Sequence, residues 1–328
     1  MRILYIVLGV FLIGFGALDA LWTALWVDGN AGPLTRRHNS WMRRLILRLS
    51  GRNHKMLSTT GPIVLVASVL VWAIIPWAGW VLLFSSDATS LLRTHTNTPA
   101  ALVDRIYFAG YTMFTLGNGD FGPNGSVWEF VTAWASLNGL FMLTLAVTYL
   151  LAIIEAVVAK RSFASQVWSL GRTAEEFIIH SWNGHSFPAI ELHIVSLTEQ
   201  LQMVVEQHHA YPMLHYYHET NKKNSVSHNL AVFSEVLMLF AHGVAESVRP
   251  APSAIFSAQR TVEEFLDTLR SAYVTPSEKE TPGPSVVKLA AAGIPTVSQD
   301  DLTAALTQRE ERRDLLRGFL DSERRDWP

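Results

Sequence analysis

Two stretches of this sequence are long, apolar and free of charged side chains, residues 56–86 and residues 130–154. Each contains the roughly 20 apolar residues that a helix needs to cross the hydrocarbon core of a bilayer. A third apolar stretch, residues 3–27, is interrupted only by Asp19, which is close enough to its end for the carboxylate to reach the membrane surface. The sequence therefore predicts an all-α membrane protein with three membrane-spanning helices.

The first apolar stretch has an alternative interpretation, because Arg2 followed by an apolar run is also typical of a cleaved signal peptide. The run is long for such a peptide, and no clean small-x-small cleavage site follows it. Trp22 and Trp26 lie near its far end, where an aromatic belt at the membrane surface is expected. We therefore interpret residues 1–27 as a retained helix.

The distribution of charge predicts the topology. Segment 28–60 carries seven Lys or Arg residues against one acid, whereas segment 85–126 carries two against three acids. The positive-inside rule places segment 28–60 in the cytoplasm and segment 85–126 outside. Lys160 and Arg161 follow the third apolar stretch and place the C-terminal half in the cytoplasm. We therefore expect a multi-pass protein of the cell (inner) membrane with its N-terminus outside.

Segment 28–60 also contains a candidate helix. Apolar residues recur there at helical spacing among Arg43, Arg44 and Arg48, namely Trp41, Met42, Leu45, Ile46 and Leu49. This pattern suits a helix that lies in the cytoplasmic interface with its arginines near anionic lipid headgroups. The alternative is an exposed basic linker.

Segment 85–126 has the pattern of a re-entrant loop. Thr98 can cap a short helix that has Pro99 at its first position. Residues 99–114 are apolar enough to enter the membrane and too few to cross it. The glycine-rich backbone that follows is tolerated at membrane depth only where protein buries it or water lines it. We therefore predict a pore helix followed by the segment Thr115-Leu116-Gly117-Asn118-Gly119-Asp120.

This segment suits a dehydrated monovalent cation. Backbone carbonyls replace the water of such an ion if successive peptides turn the same way. Gly117 and Gly119 permit the positive φ that this needs, and the Thr115 hydroxyl can add a further oxygen. The helix in front points its partially negative C-terminus toward the ion. Because one loop supplies a quarter of each oxygen ring, we predict a homotetramer.

The segment resembles the signature Thr-Val-Gly-Tyr-Gly-Asp of potassium channels with two spans around one pore loop. The resemblance covers about residues 62–160, so that the first helix is an extra N-terminal span. It implies that Asp120 lies behind the filter, with Tyr107 as a candidate partner, and that Gly139 is a hinge in the inner helix. The selectivity-filter residues that it implies are Thr115, Leu116, Gly117, Asn118 and Gly119.

Asn118 departs from this family, which has a tyrosine that braces the outer filter. A related bacterial channel type that conducts both Na⁺ and K⁺ has an aspartate here and continues with Phe, a residue and Pro, as 121–123 do in this chain. The resemblance therefore implies a cation pore, with K⁺ as the permeant ion and Na⁺ as the open alternative. A plain Asn-Gly turn between membrane helices is a further alternative, which leaves Thr115 and Gly117 unexplained.

The third apolar stretch, extended to residues 127–158, is long enough to cross the bilayer and continue below it. A row spaced by four residues follows Gly139 along it, namely Leu143, Val147, Leu151 and Glu155. If Gly139 faces the pore, the apolar members are a candidate gate that closes by dewetting, and Glu155 can gather cations. The alternative is packing against lipid or a neighbouring helix, with Glu155 as an ordinary interfacial charge.

The polar half of the chain is predicted to be mostly helical. Helices are predicted over 191–207 and 226–248, and another begins at Thr261. Four prolines mark residues 275–298 as a linker. We divide the chain into an N-terminal helix (1–27), a basic cytoplasmic segment (28–60), a pore domain (61–160), a helical cytoplasmic domain (161–274), the linker (275–298) and a C-terminal helix (299–328).

No recognisable motif identifies a cofactor or a gating ligand in this half. A Gly-x-Gly-x-x-Gly motif after a strand and a calcium-loop pattern are both absent from the sequence. His215 and His218 would share a helix face and are weak candidates for a metal site, but solvated surface histidines are the favoured interpretation. The five histidines that cluster here are His208, His209, His215, His218 and His228.

Three functions compete at this point. The first is a potassium or mixed monovalent cation channel that conducts passively and is not an enzyme. The second is a membrane-embedded metalloenzyme that uses the histidines, and the third is a non-conducting membrane scaffold. The chain has no cysteine, which excludes disulfides and thiolate sites. Its formal net charge of −2 gives no reason to expect nucleic acid as a partner.

Overall fold

A computed structural model describes residues 1–26, 31–50, 58–271, 274–307 and 310–328. These residues are mainly α-helical and divide into two compact units. The first unit holds residues 1–26, 31–50 and 60–153, and the second holds residues 58–59 and the described residues from Ile154 on. The helical fold class predicted from the sequence is confirmed.

The elements that belong to or begin in the first unit are α1 (Arg2–Leu25), α2 (Pro33–Ser50), α3 (Thr60–Ser85), β1 (Leu91–Arg93), α4 (Leu102–Met113), β2 (Phe121–Pro123) and α5 (Ser126–Leu170). Helices α1, α3 and α5 are long and apolar enough to cross a membrane, as predicted. Helix α5 continues about three turns beyond the end predicted at residue 158.

Helices α1 and α3 pack closely through glycine. A Cβ atom placed on Gly9 would lie 2.8 Å from the carbonyl oxygen of Gly79, and a Cβ on Gly79 would lie 2.8 Å from that of Gly9. Small residues let membrane helices approach until their backbones touch, and van der Waals packing then holds them together. The extra N-terminal helix is therefore an integral part of the first unit.

Asp19 does not reach toward solvent, contrary to the sequence-based interpretation. Its side chain is 2% exposed and caps the first turn of α2. The carboxylate accepts hydrogen bonds from the Leu34 amide at 2.8 Å, the Thr35 amide at 3.1 Å and the Thr35 hydroxyl at 2.5 Å. Backbone amides at a helix N-terminus have no partner within the helix, so a carboxylate from α1 satisfies them here.

The short strands β1 and β2 form an antiparallel pair on either side of α4. Their register joins Leu91 to Pro123, Leu92 to Gly122 and Arg93 to Phe121. The pair ties the segment before the pore helix to the segment after the candidate filter, although the two are about 30 residues apart in sequence.

The pore helix begins at Leu102 and not at Pro99, so the predicted Thr98 cap is wrong. Residues 98–100 stay extended because the Arg93 amide donates to the Thr98 carbonyl at 2.9 Å and the Ala100 amide to that of Leu91 at 3.0 Å. The helix is capped instead by Asp104, whose carboxylate accepts from the Ala101 amide at 2.9 Å.

The second unit is built on α8 (Val226–Met238), a helix that is buried over its whole length. It is followed by one π-helical turn, Leu239–Gly243. The other described helices of eight or more residues in this unit, apart from the end of α5, are α6 (Ala174–Ser181), α7 (Ile190–Ala210), α9 (Pro252–Ser271), α11 (Gln299–Thr307) and α12 (Glu310–Ser322). Helix α9 begins at Pro252, nine residues before the predicted start at Thr261, because proline suits the first position of a helix.

Residues 275–298 are not a simple linker. They contain the helix α10 (Val286–Ala291), in which Val286 and Leu289 are buried in the core of the second unit. The predicted C-terminal helix is described as two helices, α11 and α12, and Leu316 of α12 is fully buried. The four prolines did not make this stretch a linker, because proline ends helices without excluding the neighbouring apolar residues from a core.

A buried ion pair joins α12 to α8. The Nε of Arg313 lies 3.0 Å from Oε1 of Glu235, and both side chains are nearly inaccessible to solvent. Arg313 also donates to the Pro282 carbonyl at 2.5 Å. Burial raises the pKa of Glu235, and the neighbouring Arg313 opposes that shift. The carboxylate therefore depends on this guanidinium to remain charged inside the unit.

Replacing Arg313 by methionine should destabilise the second unit by about 3–5 kcal/mol, because it leaves the Glu235 charge buried without its partner. The double variant Glu235→Leu/Arg313→Met should recover most of that loss. Arg260→Met, which breaks an exposed ion pair with Glu263, is the control and should cost less than about 1 kcal/mol. Thermal unfolding of the full chain in detergent measures all three variants, and equal losses for Arg313 and Arg260 would contradict the prediction.

Candidate ion-conduction site

The segment after α4 has an unusual alternating backbone. Thr115, Gly117 and Gly119 have φ values of 57°, 61° and 76°, whereas Leu116 and Asn118 between them have negative φ. Alternation in the sign of φ turns successive carbonyls toward one side, while an ordinary strand turns them to opposite sides. The positive φ expected for the two glycines is therefore present, and Thr115 shares it.

The positive φ of Thr115 is energetically unfavourable. A β-branched residue with positive φ is a genuine outlier and is held only where its surroundings fix it. The Thr115 amide donates to the Thr112 carbonyl at 3.2 Å, and the Leu116 amide donates to the Tyr111 carbonyl at 2.8 Å. The end of α4 therefore sets the first turn of the segment.

All six residues of the predicted filter are exposed in the single chain. A Cβ atom on Gly117 or Gly119 would meet nothing within 4 Å. The glycines are therefore required by their backbone conformation and not by close packing. The face toward which the carbonyls can turn is exposed to solvent in the single chain. Such exposure is expected of a surface that contacts other subunits.

The outer end of the segment is tied to the strand pair. The Thr94 amide donates to the Asp120 carbonyl at 3.0 Å, and the Thr94 hydroxyl donates to the Gly119 carbonyl at 2.7 Å. Arg93, next to it, forms an ion pair with Asp104 at 2.8 Å and lies over the ring of Phe121. These contacts fix the last peptides of the segment to the loop before the pore helix.

Two tyrosines of α4 brace the segment from behind. The Asn118 side-chain amide donates to the Tyr107 hydroxyl, and the Tyr111 hydroxyl donates to the Phe121 carbonyl at 3.0 Å. The Tyr107 ring also packs edge-on against the rings of Tyr111 and Phe121. Tyr107 was the candidate partner of Asp120, and the structure pairs it with Asn118 instead. An aromatic brace is present here, and the pore helix supplies it.

Gly139 lies against the end of the pore helix. A Cβ atom at this position would be 2.0 Å from the Met113 carbonyl oxygen. Helix α5 is continuous through Gly139, so the glycine serves here as a close contact between α4 and α5. Its role as a hinge stays a prediction.

The candidate gate residues lie on α5 below Gly139. Leu143, Val147 and Leu151 are 51%, 47% and 62% exposed, and Glu155 is exposed as well. Apolar side chains with this exposure are expected to be covered by lipid or by a second subunit, or to line a pore that is closed to water. Their role as a gate stays a prediction.

This arrangement of two spans around a pore helix can be compared with known proteins. The chain is 40% identical over 324 residues to a protein of Bacillus subtilis (strain 168) named "Uncharacterized membrane protein YdjJ", covering 99% of this chain and 95% of that protein. The family described as "Ion channel" matches residues 69–156. The chain belongs to the family of this Bacillus subtilis membrane protein, and its residues 69–156 match the ion channel family. No solved structure matches the chain.

The part that matches the ion channel family runs from α3 to the middle of α5. It contains the pore helix, the segment 115–120, Gly139 and the apolar gate candidates. Helices α1 and α2 and the second unit from residue 157 on lie outside it. The chain is therefore a membrane protein with an ion-channel segment, which favours a non-enzymatic function.

The candidate metal-binding histidines lie in the second unit, on different elements. His215 is in a 3₁₀ turn, Pro212–Tyr216, and His218 lies beyond its end, so the shared helix face predicted for them is wrong. His218 Nδ1 is 3.9 Å from Oε1 of Glu323. Among the described residues no group of three or more His, Cys, Asp or Glu side chains is arranged to hold a metal.

Burial decides the protonation of two other histidines in this cluster. It lowers the pKa of His208 well below its usual range, and the nearby His215 and Lys160 lower it further. It also lowers the pKa of His228 to about 4, reinforced by Lys222 and Arg325. Both rings are therefore neutral at physiological pH and belong to the core, not to a solvated surface as the sequence suggested.

Sequence reasoning missed Thr94 and Tyr111 as parts of the site. The hydroxyl of Thr94 reaches a carbonyl 25 residues away, and no local pattern marks that contact. Tyr111 lies one helical turn after Tyr107, and this spacing could have indicated that both face the same side of the pore helix.

Proposed function

We propose that this chain is one subunit of a homotetrameric channel that conducts monovalent cations passively, with K⁺ preferred. The alternating φ of residues 115–119 is the observation that carries the proposal, because it suits a row of carbonyls that replaces the hydration shell of an ion. In this proposal the channel lies in the cell membrane with its second unit in the cytoplasm. The filter residues are Thr115, Leu116, Gly117, Asn118, Gly119 and Asp120.

The need for four subunits follows from coordination. A single segment offers one carbonyl at each level, whereas a dehydrated K⁺ ion needs several oxygens at once. The exposure of the whole segment in the single chain supports closure by identical neighbours, since homo-oligomers commonly have closed symmetry.

The contact between Tyr107 of α4 and Asn118 affects which ion the filter prefers. Selectivity depends on how many carbonyl sites an ion meets and how firmly they are held. The Tyr107 contact to Asn118 and the Thr94 contact to Gly119 hold the outer sites in this chain. They favour K⁺ selectivity over the non-selective alternative, in which the outer sites are wide and hydrated.

Ion flux into proteoliposomes tests the proposal. Purified protein should carry K⁺ down its gradient, with Cl⁻ excluded and Na⁺ carried more slowly, and native mass spectrometry should show a tetramer. Equal rates for K⁺ and Na⁺ would favour the non-selective alternative. A stable dimer without flux in any lipid would contradict a tetrameric channel and support a scaffold.

Replacing Tyr107 by phenylalanine should lower the K⁺-over-Na⁺ permeability ratio several-fold, because it removes the hydroxyl that Asn118 contacts and keeps the ring. Tyr5→Phe, in α1, is the matched control and should leave the ratio unchanged. Reversal potentials under bi-ionic conditions measure both variants. An unchanged ratio in Tyr107→Phe would contradict a role of the Tyr107 hydroxyl in ion preference.

The sequence-based expectation for Asn118→Tyr is an increased K⁺ preference, since tyrosine restores the residue of the resembled family. The structure adds a condition to it, because the Tyr107 ring already occupies the space behind position 118. The double variant Tyr107→Ala/Asn118→Tyr should therefore show the higher preference more clearly than Asn118→Tyr alone.

A further inference from the structure

The second unit contains a polar cavity of about 490 Å³ at the end of α5. Cavities of this size hold small molecules. The polar and aromatic side chains that line it come from α5, from the turn between α5 and α6, from α6 and from the 3₁₀ turn Lys222–Asn224, namely Ser165, Trp168, Ser169, Arg172, His180 and Lys223. The cavity is therefore a candidate ligand site, and it lies outside the segment that matches the ion channel family.

The lining of this cavity carries an excess of positive charge. Arg172 and Lys223 are exposed, and neither forms an ion pair in the part of the chain that the structure describes. Among the described residues that line the cavity, Glu176 is the one carboxylate, and its Oε2 accepts a hydrogen bond from the Arg172 amide at 3.0 Å. Two cations against one carboxylate favour an anionic ligand.

Arg172 is held in place by aromatic packing. Its guanidinium lies over the ring of Trp168, 5.5 Å from the centroid. Trp168 packs in turn against the ring of His228, which is 3% exposed, with the centroids 5.8 Å apart. A stacked guanidinium keeps its N–H donors in a fixed plane that matches the oxygens of a carboxylate or a phosphate. The packing therefore orients the donors of Arg172 for an oxyanion.

The second cation favours a phosphate over a carboxylate. A carboxylate has two oxygens, and one guanidinium can satisfy both of them in a bidentate contact. A phosphate monoester has three terminal oxygens and a charge of about −1.5 to −2 at neutral pH. Because Lys223 belongs to a different element from Arg172, an ammonium group and a guanidinium reach the same cavity separately. This pair matches the charge and the number of oxygens of a phosphate group.

The other polar side chains supply hydrogen-bond acceptors. The hydroxyls of Ser165 and Ser169 donate to backbone carbonyls of their own helix, at 3.1 Å and 2.7 Å. A hydroxyl has one donor and two acceptor lone pairs, so both oxygens can still accept. His180 Nδ1 donates to the Leu170 carbonyl at 3.1 Å, which leaves Nε2 as an acceptor when the ring is neutral. These acceptors suit hydroxyl groups of a ligand and not ionised phosphate oxygens.

We propose that this cavity binds a small phosphate ester that also carries free hydroxyl groups, either a sugar phosphate or a nucleoside monophosphate. Arg172 and Lys223 bind the phosphate group, and Ser165, Ser169 and His180 accept hydrogen bonds from the hydroxyls. The site does not depend on the proposed channel function, because all of its residues lie in the second unit.

Isothermal titration calorimetry of the full chain tests the proposal, in a polyoxyethylene detergent that contains neither phosphate nor sugar. Glucose 6-phosphate and AMP are the ester probes, and inorganic phosphate, glucose and adenosine are their fragments. We expect one ester or both to bind with a Kd about ten-fold or more below that of each fragment, because only the ester engages both halves of the site. The ester that binds identifies the source. Absence of binding by both esters, or equal Kd values for the esters and inorganic phosphate, would overturn the proposal.

Charge-removal variants test the phosphate half of the site. Arg172→Gln/Lys223→Gln should raise the Kd of the bound ester about ten-fold or more, because charge-assisted hydrogen bonds are lost. The matched control Lys222→Gln/Arg260→Gln removes two exposed charges that do not line this cavity, and it should retain the wild-type Kd. An equal loss in both variants would show a general charge effect and overturn the assignment. Thermal unfolding of each variant checks that the fold is retained.

Serine variants test the hydroxyl half separately. Ser165→Ala/Ser169→Ala should raise the Kd of the ester several-fold and leave the weaker binding of inorganic phosphate unchanged, a difference that general damage to the fold would not produce. Ser162→Ala, also exposed on α5 but outside the cavity, is the matched control and should leave both Kd values unchanged. An unchanged Kd of the ester in the double serine variant would overturn the assignment of the hydroxyl-bearing ester.

Discussion

Replacing Gly117 by alanine is expected to reduce cation flux at least ten-fold while assembly is unchanged. An L-residue with positive φ costs roughly 1–2 kcal/mol, and four subunits would carry about 4–8 kcal/mol in one ring. Alanine avoids this cost by returning to negative φ, which turns its carbonyl out of the row. A Cβ at this position meets no atom within 4 Å, so steric exclusion does not contribute.

Gly125 supplies the matched control for this experiment. It has a φ of 87° and open space around an added Cβ, as Gly117 does, but it precedes α5 and lies outside the filter. Gly125→Ala should therefore carry a comparable backbone cost and keep most of the flux. Proteoliposome flux and native mass spectrometry measure both variants. Full flux in Gly117→Ala would contradict the role of its carbonyl in conduction.

Replacing Gly139 by alanine is expected to destabilise the contact between the pore helix and the inner helix. The added Cβ would lie 2.0 Å from the Met113 carbonyl oxygen, so the backbones must separate. Overpacking of this kind costs about 1–3 kcal/mol or more per site. Because Met113 is two residues before Thr115, the displacement reaches the filter, and we expect both a lower Tm and loss of flux.

Gly14→Ala is the matched control, since Gly14 is also in a membrane helix and an added Cβ there meets nothing within 4 Å. It should leave Tm and flux unchanged or raise Tm slightly, because alanine favours the helical state. The experiment also separates the two roles of Gly139. An unchanged Tm with reduced opening would favour the hinge and contradict the packing role.

Sequence patterns predicted those features that depend on local composition. The three membrane helices follow from uncharged apolar stretches, because hydropathy along a helix is a property of the helix itself. The positive φ of Gly117 and Gly119 follows from residue type, since glycine alone adopts it at no steric cost. The match of residues 69–156 to an ion channel family was indicated by the same short segment, whose spacing few other functions require.

The element boundaries predicted from local patterns were wrong where tertiary contacts compete with local helix signals. Pro99 has a good start signal, but pairing with β1 keeps residues 98–100 extended. The proline-rich residues 275–298 have the composition of a linker, but Leu289 within them is fully buried. In both cases contacts with residues distant in sequence determine the conformation, because intrinsic secondary-structure propensity is weaker than these tertiary contacts.

The sequence by itself determined the three helices that are long and apolar enough to cross a membrane, and the segment that carries the candidate filter. Only the tertiary structure showed that Asp19 caps α2, that Thr94 holds the Gly119 carbonyl and that Tyr107 braces Asn118. These hydrogen bonds join residues 11–25 positions apart, on separate elements. A side chain's partner across such a distance depends on how the elements pack, and no periodicity in the chain encodes that geometry.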